Sequence, residues 1–234
     1  MTPANSTVPV KPTAPVKIAL ISATPLAIPP AAAAVADALP GSTVWNLLDD
    51  RLLADAEQQG GITDPLAVRM DDLIELALAG GADGVLLTCS QFGTRAEVRD
   101  RAADPAAVLS ADGPLFAEVA ERRPARVLLV ASLESAAADS TERLSAVLAA
   151  AGATATVAPL VVPTAARPPQ GESLDQVLGT AIATVTEPYE LVVLAQYSLA
   201  AAAGALAERF GVPVLDGPSA AARRLSAEIA RRAR

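Results

Sequence analysis

Apolar positions in this chain come in short solid runs separated by longer stretches of helical periodicity. Val16–Ser22 (VKIALIS) is a nearly unbroken apolar run, the pattern of a strand buried on both faces of a parallel sheet. Pro29–Leu39 is an alanine-rich helix whose prolines fall in the first turn, where they are tolerated. Thr43–Leu47 is a second strand. Leu66, Met70, Leu73, Ile74 and Leu78 then recur at helical spacing within Asp64–Ala79. Gly84–Thr88 is a third strand, followed by a helix over Gly93–Ala102.

The pattern then restarts. Arg126–Ala131, Thr154–Ala158, Leu191–Ala195 and Pro213–Leu215 are predicted strands. Ser135–Ala150, Leu174–Val185, Ser198–Phe210 and Ser219–Arg232 are predicted helices. Such alternation implies parallel sheets covered by helices. The two halves also match each other: VKIALISAT resembles ARVLLVASL, and GADGVLLTCS resembles YELVVLAQYS. The expected fold is α/β, with two pseudo-symmetric lobes, each a mainly parallel sheet flanked by helices. Residues 16–115 with 216–234 form the first lobe and 116–215 the second, with the active site in the cleft between them. The last helix closes the first lobe. Residues 1–15, rich in proline and threonine, read as a flexible tail.

Composition narrows the function. Of 234 residues, 52% are hydrophobic but only 3% aromatic, so small side chains must pack closely. A net charge of −8 argues against a nucleic-acid partner. The basic stretch from Arg223 to Arg234 reads as the solvated end of the last helix. The apolar stretch after Lys17 is interrupted by Pro25, Pro29 and Pro30, unlike a signal sequence, and residues 190–206 read as a buried strand and helix rather than a membrane span. The expectation is a soluble, cytoplasmic protein with no membrane partner. One cysteine excludes an internal disulfide framework. The absence of histidine removes the Ser-His-Asp triad, the Cys-His dyad and the HExxH zinc site, and no metal site is expected. Lys11 lies in the tail and Lys17 opens the first strand, so proton transfer falls to Cys89, carboxylates and tyrosines.

Four strand ends carry small polar residues: Ser22-Ala23-Thr24-Pro25, Thr88-Cys89-Ser90-Gln91, Ser132-Leu133-Glu134 and Gln196-Tyr197-Ser198. Helix N-termini after the second and fourth favour an anion, and a small carboxylate is the natural ligand. No GxGxxG or GxxxxGK[ST] motif supports a nucleotide. From these ends, Ser22, Thr24, Pro25, Thr88, Ser90, Gln91, Ser132, Gln196, Tyr197 and Ser198 are the candidate substrate-binding residues. Cys89 is placed near a helix N-terminus, where a thiolate is stabilised and its pKa lowered. The competing reading, a small buried hydrophobe, is weakened by its polar neighbours Thr88, Ser90 and Gln91.

GADGVLLTCSQFG, at residues 81–93, resembles the first cysteine motif of the aspartate/glutamate/hydantoin racemase superfamily, which also contains maleate isomerases and arylmalonate decarboxylases. ATPLAIPP, NLLDDRL and LVVLAQYSLA fit the same family, and the resemblance spans residues 16–220. It implies two α/β lobes, no cofactor, a site between lobes and a catalytic Cys89. Racemases of this family carry a second cysteine where this chain has Gln196. An amide does not titrate, so it can donate a hydrogen bond but cannot be the second base. Asp49, Asp50 and Tyr197 are the candidate second bases. Glu134 is a weaker candidate because it would repel an anion, and Arg167, which could attract substrate, reads more simply as a solvated loop arginine.

The expected activity is cofactor-independent proton transfer at the carbon alpha to a carboxylate of a small acid or amino acid, of racemase or isomerase type, with Cys89 as acid/base. Two alternatives stand beside it: one-cysteine decarboxylation of a malonate-like acid, and a non-catalytic carboxylate-binding protein. A homodimer is a candidate assembly, with the oligomeric state left open by the sequence.

Overall fold

The computed structural model describes residues 15–100 and 106–232. The tail predicted over 1–15 lies almost wholly outside the described residues, as do the last two positions of the helix predicted to reach Ala102. In chain order the first half contains β1 (Lys17–Ser22), α1 (Ile28–Ala38), β2 (Thr43–Leu48), α2 (Leu52–Gln59), α3 (Asp64–Ala79), β3 (Gly84–Leu87), α4 (Gly93–Asp100), β4 (Ala107–Leu109) and α5 (Gly113–Arg122). The second contains β5 (Arg126–Ala131), α6 (Glu134–Ala150), β6 (Thr156–Val161), α7 (Leu174–Ile182), β7 (Leu191–Leu194), α8 (Ala203–Phe210), β8 (Val214–Asp216) and α9 (Gly217–Arg232).

The strands form two four-stranded parallel sheets, ordered β2-β1-β3-β4 and β6-β5-β7-β8. The same order in each half is the expected internal repeat. The solid apolar runs occupy the central strands, where both faces are covered. In β1, Ala19 and Ile21 pack with Met70 and Ile74 on α3, while Ile18 and Leu20 pack with Val35 on α1. In β7 the alternation is the same: Val193 joins the cluster of α5 and α6, and Val192 and Leu194 join that of α7 and α8. Truncating a fully buried leucine such as Leu129 to alanine would cost about 2–5 kcal/mol. The apolar stretch 190–206 is therefore a central strand, a turn and the start of α8. No helix among the described residues is long and apolar enough to cross a membrane.

The last helix of each half crosses to the other. α5 follows β4 of the first sheet, yet Leu115, Phe116 and Val119 pack with Val127 and Leu129 of the second. α9 follows β8 of the second sheet, yet Ala221, Ala222 and Leu225 pack with Ile18, Leu20 and Leu86 of the first. Gly84 in β3 permits this approach, since a Cβ there would stand 2.8 Å from Leu225 Cδ1.

Candidate active site

Cys89 and Gln196 occupy equivalent places. β1 and β3 pair with Ile18 beside Gly84 and Ile21 beside Leu87; β5 and β7 pair with Val127 beside Leu191 and Val130 beside Leu194. Continued past the last rungs, these registers set Ala23 beside Cys89 and Ser132 beside Gln196. Each of Cys89 and Gln196 is an extended residue at the carboxyl end of its strand, and each precedes a 3₁₀ turn, Ser90–Phe92 or Tyr197–Ala202. The turns are closed alike, by Phe92 N–H donating to Cys89 O and Leu199 N–H donating to Gln196 O.

The partners differ. The Ser132 amide donates to Gln196 Oε1 at 2.6 Å, and the Ser132 hydroxyl donates to the same oxygen at 2.9 Å. An N–H donor requires an oxygen opposite it, so the amide orientation is fixed and Nε2 is its donor end. Beside Cys89 stands Ala23, which offers no side-chain hydrogen bond. The next rung in, Thr88 donates to Ser22 Oγ at 2.9 Å, and both residues are buried. Thr24 accepts from Leu26 N–H at 3.4 Å and caps the following turn. Pro25, Gln91 and Ser198 are exposed and Ser90 is half-buried.

Cys89 is buried, with 9% of its surface exposed. Burial pushes its thiol above the ordinary value, the Gln91 and Phe92 N–H groups pull it back, and the Asp112 carboxylate pushes it up again. This corrects the expectation of a lowered pKa. The turn after Cys89 spans only three residues, and its amides are outweighed by loss of solvent.

Tyr197 is also placed otherwise than expected. Its side chain turns into the core cluster with Ala111, Ala221 and Leu225, and its hydroxyl donates to Ala111 O at 3.4 Å. Burial, with Asp112 and Asp216 nearby, raises the phenol well above its ordinary value. A phenol so held keeps its proton, which removes Tyr197 from the second-base candidates. Asp49 reaches the same end of the first sheet, its N–H donating to Ser22 O, but its carboxylate is taken by Arg69 and by the Arg51 N–H. Asp50, Glu134 and Arg167 are exposed.

Two charged residues that the sequence reading missed lie near Cys89. Asp112, at the start of α5, is buried and accepts from Arg143 Nη1 of α6 at 2.7 Å. Burial raises its carboxyl while Arg143 opposes the shift. The Asp-Gly-Pro of residues 112–114, repeated at 216–218, was the available signal. A cavity of about 610 Å³ lies elsewhere, between α4, β4, α5 and α9. Its rim charges largely satisfy one another, Glu118 pairing with Arg122 and Arg223. The paired strand ends, rather than this hollow, carry the groups capable of chemistry.

No protein-family model matches the sequence, and no curated protein matches it. Solved structures do. Allantoin racemase from Klebsiella pneumoniae superposes with a TM-score of 0.65 at 20% identity, covering 92% of this chain and 88% of that one. Glutamate racemase isoform RacE1 from Bacillus anthracis gives 0.66 at 11% identity, covering 92% and 82%. Unliganded arylmalonate decarboxylase gives 0.56 at 19% identity, covering 90% and 92%. The chain thus has the two-sheet α/β fold of these enzymes over nearly its whole described length.

Proposed function

We propose that this protein is a cofactor-independent enzyme of the aspartate/glutamate/hydantoin racemase superfamily, moving a proton at the carbon alpha to a carboxylate. Cys89 carries the proton. Gln196 stands where a second acid/base would act and instead donates a hydrogen bond to the substrate carboxylate or to the enediolate formed from it. The observation that carries this reading is the paired register of the two strand ends, with Ser132 holding Gln196 Oε1 and so leaving Nε2 as the donor end of the amide. A developing negative charge beside such a donor is stabilised in the transition state more than in the ground state.

One-thiol decarboxylation of a malonate-like acid is the second reading, and a specific observation favours it. Burial keeps Cys89 as a neutral thiol. Loss of carbon dioxide leaves a carbanion that needs a proton donor and no base. The thiol would protonate that carbon on one face, and solvent would reload the sulfur. A carboxylate-binding protein without turnover is the remaining alternative.

The test is proton NMR of candidate amino acids, hydroxy acids and substituted malonates in deuterium oxide, with the wild-type protein and with Cys89→Ser. Deuterium uptake at the alpha carbon, or loss of carbon dioxide, that disappears in the variant supports catalysis. Binding without either change supports the non-catalytic alternative.

A further inference from the structure

The Gln196 amide offers a ligand only one kind of hydrogen bond. The ladder of each half runs one residue past its paired strands: Thr88 N–H donates to Ile21 O, and Ala195 N–H donates to Val130 O. One residue further on, Gln196 Oε1 accepts from Ser132 N–H at 2.6 Å and from the Ser132 hydroxyl at 2.9 Å. A carbonyl oxygen has two lone pairs, and both are taken. Ser132 is buried, whereas Gln196 is only half-buried. What remains of the amide is its Nε2 donors, so a group that meets Gln196 must accept.

The charges around the strand ends favour the same kind of ligand. α1, α4, α6 and α8 follow β1, β3, β5 and β7, so their N-termini lie toward these ends, where an anion is favoured and a cation is not. Among the described residues there, Asp49 is held by Arg69, Asp112 by Arg143 and Asp216 by the Ser219 N–H. Asp50 and Glu134 are exposed, and Glu134 sits in the first turn of α6, whose N-terminus its charge complements. An α-amino acid has a single acceptor group. If its carboxylate meets Gln196, its ammonium lies among helix N-termini. If its ammonium meets Gln196, donor faces donor. We propose that Gln196, its oxygen saturated by Ser132, is a specificity-determining residue: the site takes acids that carry a second acceptor, a carboxylate or carbonyl, on the reacting carbon, and rejects α-amino acids. The inference rests on the proposed function in taking the strand ends as the substrate site, and it narrows the substrate class of that site.

The test is equilibrium binding by calorimetry to the intact protein carrying Cys89→Ser, so that turnover does not obscure binding. The probes share a phenyl group and one carboxylate on the same carbon and differ in one further group. Phenylmalonate adds a carboxylate, its monoamide a neutral carbonyl, phenylacetate a hydrogen and phenylglycine an ammonium. The phenyl body suits Leu26 and Leu133, which stand exposed just beyond β1 and β5. The monoamide carries the same charge as phenylacetate, so the difference between them reads the acceptor alone.

Phenylmalonate and its monoamide are expected to bind about tenfold more tightly than phenylacetate and phenylglycine, the fold-change that one good hydrogen bond gives. Gln196→Glu keeps an acceptor toward Ser132 and puts a second acceptor in the donor's place, so it is expected to reverse the order of the monoamide and phenylglycine. Gln196→Met removes the donor at similar length and is expected to level the monoamide with phenylacetate, which serves if the glutamate variant folds poorly. Phenylglycine binding as tightly as the monoamide overturns the proposal. So does an order that both variants leave unchanged, or binding of none of the probes. Selective binding by a wild-type protein that neither exchanges a proton nor releases carbon dioxide upholds the acceptor assignment and rejects the enzyme. Turnover of phenylglycine upholds the enzyme and rejects the assignment.

Discussion

Tyr197→Phe separates a structural tyrosine from a catalytic one. The hydroxyl is buried and donates to Ala111 O at 3.4 Å, at the long end for an O–H donor. A typical buried hydrogen bond contributes about 0.5–1.5 kcal/mol net, and this length places it in the lower half, about 0.5–1 kcal/mol. The ring remains in its niche against Gly217 and Ala111, so no cavity opens. For a domain of this size that loss corresponds to a melting temperature lower by about 1–4 °C. Turnover should stay within about threefold of wild type, because the phenol holds its proton and its hydroxyl is taken by Ala111 O within the core. Removing an acid or base that acts in the reaction would instead lower the rate by about 10²-fold or more. Thermal unfolding and steady-state kinetics on the same preparation decide. A hundredfold loss of activity with an unchanged melting temperature would refute the assignment of Tyr197 to the core.

Other predictions follow the same geometry. Gly217→Ala forces a Cβ to 2.8 Å from Tyr197 Cε2 and 3.2 Å from Ala111 O, and should cost about 1–3 kcal/mol by chemical denaturation; a neutral result would mean that the ring can shift freely. Asp49→Asn loosens the Arg69 pair, which is partly exposed, and should cost about 0.5–1 kcal/mol without slowing turnover; a large loss of activity would return Asp49 to the chemistry. Because burial favours the uncharged thiol, wild-type Cys89 should alkylate more slowly at neutral pH than a free cysteine, its rate rising only above the ordinary thiol range of about 8.5; half-maximal reaction below that range would contradict it.

The sequence exposed the sheets where the physics is strong and local. Central strands buried on both faces announce themselves as apolar runs, so β1, β3, β5 and β7 were legible within a residue or two. β6 was placed two residues early because Pro159 breaks its pattern; proline is tolerated there since β6 is an edge strand. β4 was missed because Ala107–Leu109 is three residues in an alanine-rich stretch. α5 was missed because Gly113-Pro114 reads as a breaker, although proline fits a first helical turn. α2 is short and polar, with little periodicity to find. The 3₁₀ turn Tyr197–Ala202 was absorbed into the helix predicted over Ser198–Phe210. The relation of Cys89 to Gln196 was legible because it depends only on strands that the pattern reveals. Asp112 was not, because it follows β4, which the pattern hid, and Arg143 reaches it from the other half of the chain.

The most direct test of the account is the stereochemistry of proton delivery. With one titrating thiol and an amide in the equivalent place, the protein should exchange the alpha proton of a single enantiomer in deuterium oxide, or form one enantiomer of a decarboxylated product. Gln196→Cys should then open exchange on the opposite face. Rapid exchange of both enantiomers by the wild-type protein would contradict the account, because it requires a second base where the structure holds glutamine.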